Sequence, residues 1–487
     1  MLFFLRKMKK YAIIIWICVN KGESFLSLKT LFSAKDMTLG SPWKRIMEFA
    51  IPMLLGNFAQ QLYNTADSII VGKFVGDNAL AAVGSAMPIL NLLLALFVGI
   101  STGAGIVVSQ SFGAKDREGL SKAVGNCITL SFLATLVIMV VGPLVSMPLL
   151  QLLGTPDSII NWCAQYLNIY FLGIVGFFFY NMLSGVLRGL GDSVTALGFL
   201  LLAAALNVLL DLVFVRSMGV AGVALATVIS QGISAVFCYW KLARMGDIFD
   251  LGLKTMKLVP AVAGRILRIG IPSGVTMAIM ATAGMVVLNL TNAMGEMVIA
   301  CNVIVMRVDG FAMLPNMTFG QAMSVYTGQN VGAQKFDRVH KGVKQGGLMA
   351  AAFSTAITLT LLFFSPVLFG FFTDTLELID LATRMIRLMA VGYICISVTQ
   401  VLGGVMRGAG DTVTPMWVSI ISTIIIRVPV AYLLAYLTRN AAYPHGQPIA
   451  LFGSMMFSWV MGMVISIIIF STGKWKKKMY AHAMVEE

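Results

Sequence analysis

Charge is scarce in this 487-residue chain: only 11% of residues are Asp, Glu, Lys or Arg, where a soluble domain carries about a quarter. So few charges cannot cover an ordinary water-facing surface, which argues against a soluble globular protein. Histidine is rarer still. His340, His445 and His482 are the full set, and no HExxH occurs, so metal-assisted and acid–base chemistry has no constellation to build on and an enzyme is not expected. Cys18, Cys127, Cys163, Cys238, Cys301 and Cys395 are scattered without a CxxC or a metal-ligand spacing. They read as small buried packing residues. No GxxxxGK[ST] is present, so the chain encodes no ATP-driven motor.

What is abundant is apolar sequence. Hydrophobic residues make up 58% of the chain and the mean hydropathy is +0.87. Long runs such as "ALGFLLLAAALNVLLDLVFV" (196–215) and "LMAAAFSTAITLTLLFFSPVLF" (348–369) recur from about 46 to 472. A helix needs ~20 apolar residues to cross ~30 Å of hydrocarbon. The runs are too uniform for the ~10-residue alternating strands of a barrel. The expected fold is all-α and polytopic, with twelve transmembrane helices at 46–71, 79–111, 120–147, 159–187, 193–215, 219–243, 264–294, 297–328, 341–369, 377–406, 412–437 and 448–472.

The net charge of +14 is a topology signal rather than a nucleic-acid footprint. Basic residues gather in alternate loops, around Lys44, Lys115, Arg117, Lys241, Arg244, Arg338 and Lys474. The opposite loops offer only Lys73, Arg216 and Arg439. The positive-inside rule places both termini in the cytoplasm of a cell-membrane protein. Residues 1–36 begin like a signal peptide, but their apolar run "YAIIIWICV" is short and no small-x-small site follows. We expect a dispensable extension, with Met37 as the start.

The sequence also repeats itself. "RGLGDS" (188–193) returns as "RGAGDT" (407–412), "AIP" (50–52) as "GIP" (270–272), and "VSQSFGAKDREGL" (108–120) as "TGQNVGAQKFDRV" (327–339). Six spans therefore repeat as six spans, in the same orientation. The expected architecture is two six-helix lobes in a parallel repeat. They cover 37–244 and 263–475, with a cytoplasmic linker at 245–262 and a basic tail at 476–487. The repeated hexamer reads as a tight elbow. Arg188 and Arg407 end one helix, the glycines take a left-handed cap, and Asp192-Ser193 or Asp411-Thr412 start the next.

An aspartate near the bilayer centre costs about 2.5–3.5 kcal/mol, so each one is a functional candidate. Asp67, Asp211 and Asp309 stand well inside spans. Gln60, Asn64, Asp67 and Ser68 share a face of the first span at helical spacing. Asn207 and Asp211 are one turn apart on the fifth, and Thr227 and Gln231 on the sixth. These oxygens suit a hard cation, and two carboxylates close together in low dielectric suit a shared proton. Interhelical hydrogen bonding is the alternative for Asn207 and Thr227. At the corresponding places of the second half stand Val287, Arg427 and Ala431. The scaffold is duplicated and the acids are not, which favours function over structural glue.

"LYNTADSIIVGKFVG" (62–76), the "GQNVGA" element, the paired RGxGD elbows and "LNVLLD" (206–211) together resemble the multidrug and toxic compound extrusion (MATE) family from about Met37 to Trp475. The resemblance implies two lobes around a central cavity. It also implies export of bulky, usually cationic small molecules against inward flow of H⁺ or Na⁺, with no cofactor beyond that coupling ion. Asp67, Asn207, Asp211 and Thr227 match the positions that line the amino-terminal cation site in many relatives. Some relatives carry essential acids on the seventh and tenth spans; here there are none within either, which moves the expected coupling to the first lobe.

The second half has its own charges. Asp309 is expected to pair with Arg427 or Arg307, or to serve a second proton-sensitive or substrate-contacting role. Tyr393 and "GFFFYNML" (176–183) could present aromatic faces to a cation. Pro52 and Pro272 match across the repeat, with Pro88, Pro315 and Pro429 as further helix breaks, either hinges or static bends. The expected partners are cationic small molecules and membrane lipid, not nucleic acid, and the chain is expected to act as a monomer. A flippase for a lipid-linked precursor is the alternative, using Arg307, Arg384, Arg387 and Arg427 to hold a pyrophosphate.

Overall fold

A computed structural model describes residues 33–481 apart from Leu153 and Ala442. The expected extension therefore lies outside the described residues up to position 32, as do Cys18, His482 and the end of the basic tail. In chain order the helices are α1 (Pro42–Phe74), α2 (Asp77–Ala114), α3 (Arg117–Leu152), α4 (Asp157–Leu172), α5 (Ile174–Gly189), α6 (Ser193–Met218), α7 (Val220–Ala243), α8 (Pro260–Ala293), α9 (Glu296–Gly332), α10 (Phe336–Gly370), α11 (Leu376–Ala390), α12 (Gly392–Gly408), α13 (Val413–Ser419), a π-helical stretch Ile420–Ile426, α14 (Arg427–Leu437), α15 (Ile449–Ser471) and α16 (Lys474–Ala481). The described residues contain no β-strand.

Among the described residues, nine helical stretches are long and apolar enough to cross a membrane, and two bent pairs raise the total to eleven. The expected twelfth, α1, has the length, 33 residues, but is not among them. Asn57, Gln60, Gln61, Asn64 and Asp67 lower its hydropathy. The bent pairs are α4–α5, at 54°, and α11–α12, at 43°. Sequence reading takes each pair as one straight span. The first break falls at Gly173 and the second at Val391, beside the repeat-equivalent Gly392. A Cβ at Gly173 would run into Val228 on α7, and one at Gly392 into Trp459 on α15, so the last long helix of each half presses on the break. The π stretch has no counterpart in α6. It lies just before Pro429, whose missing N–H disturbs the ladder one turn upstream.

Both elbows form as their sequence predicts. Gly191 and Gly410 take positive φ, 81° and 91°, which only glycine adopts cheaply. Asp192 N donates back to Leu187 O at 2.9 Å and Asp411 N to Met406 O at 2.8 Å. Asp192 then accepts from Thr195 N at 3.0 Å and Thr195 Oγ1 at 2.6 Å. Asp411 does the same with Thr414 at 3.4 and 2.6 Å, and it adds an ion pair to Lys478 at 2.7 Å.

The halves meet where α2 and α9 cross. A Cβ on Gly113 would collide with Gln329 O, and one on Gly332 with Gln110 O. At this crossing the repeated motifs bond to each other reciprocally. Gln110 Nε2 donates to Gly408 O of the second elbow at 2.8 Å, and Gln329 Nε2 donates to Gly189 O of the first at 3.1 Å. The remaining glutamine oxygens accept from Arg265 Nη2 at 2.6 Å and Met37 N at 2.8 Å.

The cores respect the repeat only in part. One apolar cluster runs through α2–α7 and another through α9–α15. Each half's first helix, however, begins against the other half. Ile46, Phe49 and Met53 of α1 pack with Phe319, Tyr326 and Val405, while Ile266 and Ile269 of α8 join the first cluster. The linker is strapped down. Arg117 forks onto Asp250 at 2.7 and 3.1 Å and holds that carboxyl below the usual carboxylate range. Val259 N donates to Asn126 Oδ1 at 2.9 Å. The cysteines Cys127, Cys163, Cys238, Cys301 and Cys395 are free and buried.

Candidate functional site: a carboxylate pair in the first half

α6 packs against both α1 and α7, and the polar residues of all three converge. Asn207 and Asp211 on α6 are completely buried. Asn207 Nδ2 donates to Thr227 Oγ1 at 3.2 Å, and Thr227 Oγ1 donates in turn to Val223 O at 3.1 Å. From α1, the half-buried Asp67 brings its carboxyl within hydrogen-bonding reach of Asp211. The Tyr63 hydroxyl stands beside Asp67 and Thr227. Tyr166 and Tyr170 on α4, with ring centroids 6.2 Å apart, complete the surround.

Acceptors outnumber donors here. Asp67 Oδ1, Asn207 Oδ1 and both Asp211 oxygens are buried without a hydrogen-bond partner. Neither carboxyl has an arginine or lysine beside it. Two facing carboxylates cannot bond each other without a proton between them, and leaving both charged in low dielectric is costly. The chemical solutions are a shared proton or a monovalent cation held by oxygens. Among the described residues no three His, Cys, Asp or Glu side chains cluster as a metal site.

The expected supporting face divides. Gln60 and Gln231 line a neighbouring cavity of about 80 Å³ that also takes in Asn57, Asn181 and Arg188. The Gln231 Oε1 atom is buried without a partner. Asn64 is exposed on α1. Asp67, Asn207, Asp211 and Thr227 thus come together, while Gln60 and Gln231 line the neighbouring cavity.

The second-half charges behave differently. Asp309 accepts from Tyr393 Oη at 2.7 Å. Arg427 is a neighbour, but no ion pair forms; its Nη2 meets Met455 Sδ at 3.6 Å and its Nε has no partner. Arg307 is exposed. The expected Asp309–arginine pair is therefore replaced by a tyrosine bond. Tyr393 is also fully buried against Trp459, so it offers no face to a ligand.

Sequence reasoning missed the tyrosines. Tyr63 precedes Asp67 by one helical turn, so its spacing could have identified it. Tyr166 and Tyr170 come from α4, a helix whose packing beside the site no local pattern shows.

Comparison with known proteins agrees with this architecture. The MatE family profile matches twice, over residues 52–213 and 272–433. The chain is 27% identical over 446 residues to "Probable multidrug resistance protein YoeA" of Bacillus subtilis (strain 168), covering 88% of this chain and 96% of that one. It is 29% identical to "Probable multidrug resistance protein YpnP" of the same organism, covering 82% and 90%. A crystal structure of MATE in the straight conformation superimposes with a TM-score of 0.83 at 23% identity, covering 92% of this chain and 98% of the other. With both halves matched in register, the chain belongs to the MatE family of multidrug and toxic compound extrusion transporters.

Proposed function

We propose that this protein exports bulky cationic small molecules in exchange for inward-moving H⁺ or Na⁺, which docks at Asp67 and Asp211 with Asn207 and Thr227 as supporting ligands. The observation that carries the proposal is the surplus of buried, unpartnered oxygens around two facing carboxyls. The repeat strengthens it, because Val287 and Ala431 occupy the equivalent places in the second half and are simply core.

The energetics require such coupling. Expelling one positive charge against an inside-negative potential costs ~2.3 kcal/mol per 100 mV, and each tenfold concentration ratio adds ~1.4 kcal/mol. One entering cation cancels the electrical cost for a monovalent substrate, and its own gradient drives the remainder. With the basic loops inside, as the positive-inside rule expects, the Gln110 and Gln329 bonds tie the two halves together toward the cytoplasm, which supports substrate leaving by the opposite end. Against a flippase reading, Arg384 is already paired with Asp380 at 2.6 Å, and Arg307, Arg384 and Arg387 are exposed.

The test is efflux of a fluorescent cation from proteoliposomes under imposed H⁺ or Na⁺ gradients. Acceleration by one of the two gradients is expected. Efflux that follows only the substrate's own gradient under both conditions contradicts antiport.

A further inference from the structure

The repeat provides an internal control for its own arginines. Arg188 and Arg407 occupy equivalent last turns, on α5 and α12. Arg188 Nη1 donates to Ser184 Oγ, one turn back, at 2.7 Å. The counterpart of Ser184 is Gly403. The Arg407 side chain folds back over it in the same way, so that a Cβ there would lie 3.2 Å from Nη1. The acceptor has been removed and the cation kept.

Among the described residues no other acceptor bonds Arg407. Arg407 borders three adjoining cavities, of about 70, 40 and 110 Å³; Arg188 shares the second, the first is lined by second-half residues alone, and no carboxylate lines any of them. No charged side chain acts on it. Around the first cavity stand Thr399, Gln400, Ser419 and Thr423, hydroxyl and amide groups able to donate. Arg407 is half-buried, and a guanidinium partly withdrawn from water without a counter-charge favours an accompanying anion. Its planar fork matches the paired oxygens of carboxylate or phosphate.

We propose that Arg407 and the cavity over Gly403 form an oxyanion site, for a carboxylate or phosphate group, present in the second half only. The two halves then hold opposite specificities: unmatched carboxylates in the first and an unmatched guanidinium in the second. This site is separate from Asp67 and Asp211 and does not depend on their role.

The experiment measures thermal stability and calorimetric binding of the full chain in detergent. Phosphate and acetate are added as N-methylglucamine salts, against chloride at equal ionic strength, so that sodium is kept out. Parallel samples in bilayer discs compare phosphatidylglycerol with phosphatidylcholine. Wild type is expected to be stabilised by an oxyanion. Arg407→Gln is expected to lose the response, and Gly403→Ser, which restores the first half's arrangement, to weaken binding by about tenfold. Stabilisation by free phosphate or acetate identifies a soluble ligand; stabilisation only in phosphatidylglycerol discs identifies a lipid headgroup; both support the site. A folded Gly403→Ser protein that responds as wild type does, or a wild type that responds to none of the three, overturns it.

Discussion

Replacing Asp211 with asparagine separates ion docking from structural support. The side chain keeps its shape, and one acceptor oxygen becomes a donor. In the native protein both Asp211 oxygens and Asp67 Oδ1 are buried without partners. The new amide can donate to Asp67, gaining one hydrogen bond worth about 1 kcal/mol and removing one buried charge. Asp211→Asn should therefore fold as well as wild type or better. The entering ion, by contrast, loses one of two charged ligands. Removing one member of a buried charged set costs about 3–5 kcal/mol, which is roughly two to three and a half decades of ion affinity. Gradient-driven efflux in proteoliposomes should fall to the rate without a gradient, while the melting temperature is unchanged or raised. Wild-type coupling in this variant, or a destabilisation of several kcal/mol with coupling intact, would refute the reasoning.

The reciprocal glutamine bonds make a second expectation. Gln110→Ala and Gln329→Ala together remove four cross-half bonds, those to the two elbow carbonyls and those from Arg265 and Met37, about 1 kcal/mol each. Spin labels on the two elbows should report a larger share of molecules open at that end. Tyr393→Phe takes away the donor to Asp309 and should destabilise the protein by about 1–3 kcal/mol in thermal unfolding while leaving the coupling ion and its stoichiometry unchanged. Gly191→Ala forces a Cβ onto a left-handed residue and should cost about 1–2 kcal/mol. A melting temperature equal to wild type would show that the elbow relaxes freely.

The features legible in the sequence were those set by local pattern. Apolar length located the helices, the hexamer with its glycine and aspartate gave both elbows, and i, i+4 spacing put Asn207 beside Asp211 and Thr227 on a facing helix. The bends at Gly173 and Gly392 were hidden because apolar residues continue across them. Their signal was a glycine at matching places in both halves, and its meaning depends on Val228 and Trp459 pressing from other helices. The same holds for Gln110 and Gln329. Their repetition was visible, but the bond from each to the opposite elbow exists only once α2 and α9 cross. Asp309 was assigned to arginine because charge suggests charge, whereas the residue packed against it is Tyr393.

The most direct measurement is the substrate gradient at which net transport reverses, determined at several imposed pH and sodium gradients for wild type, Asp309→Asn, and Asp67→Asn with Asp211→Asn. The account predicts that the reversal point shifts with one ion gradient in wild type and in Asp309→Asn, and that it ignores both gradients in the double variant. A double variant whose reversal point still tracks the ion gradient as wild type does would place the coupling site elsewhere.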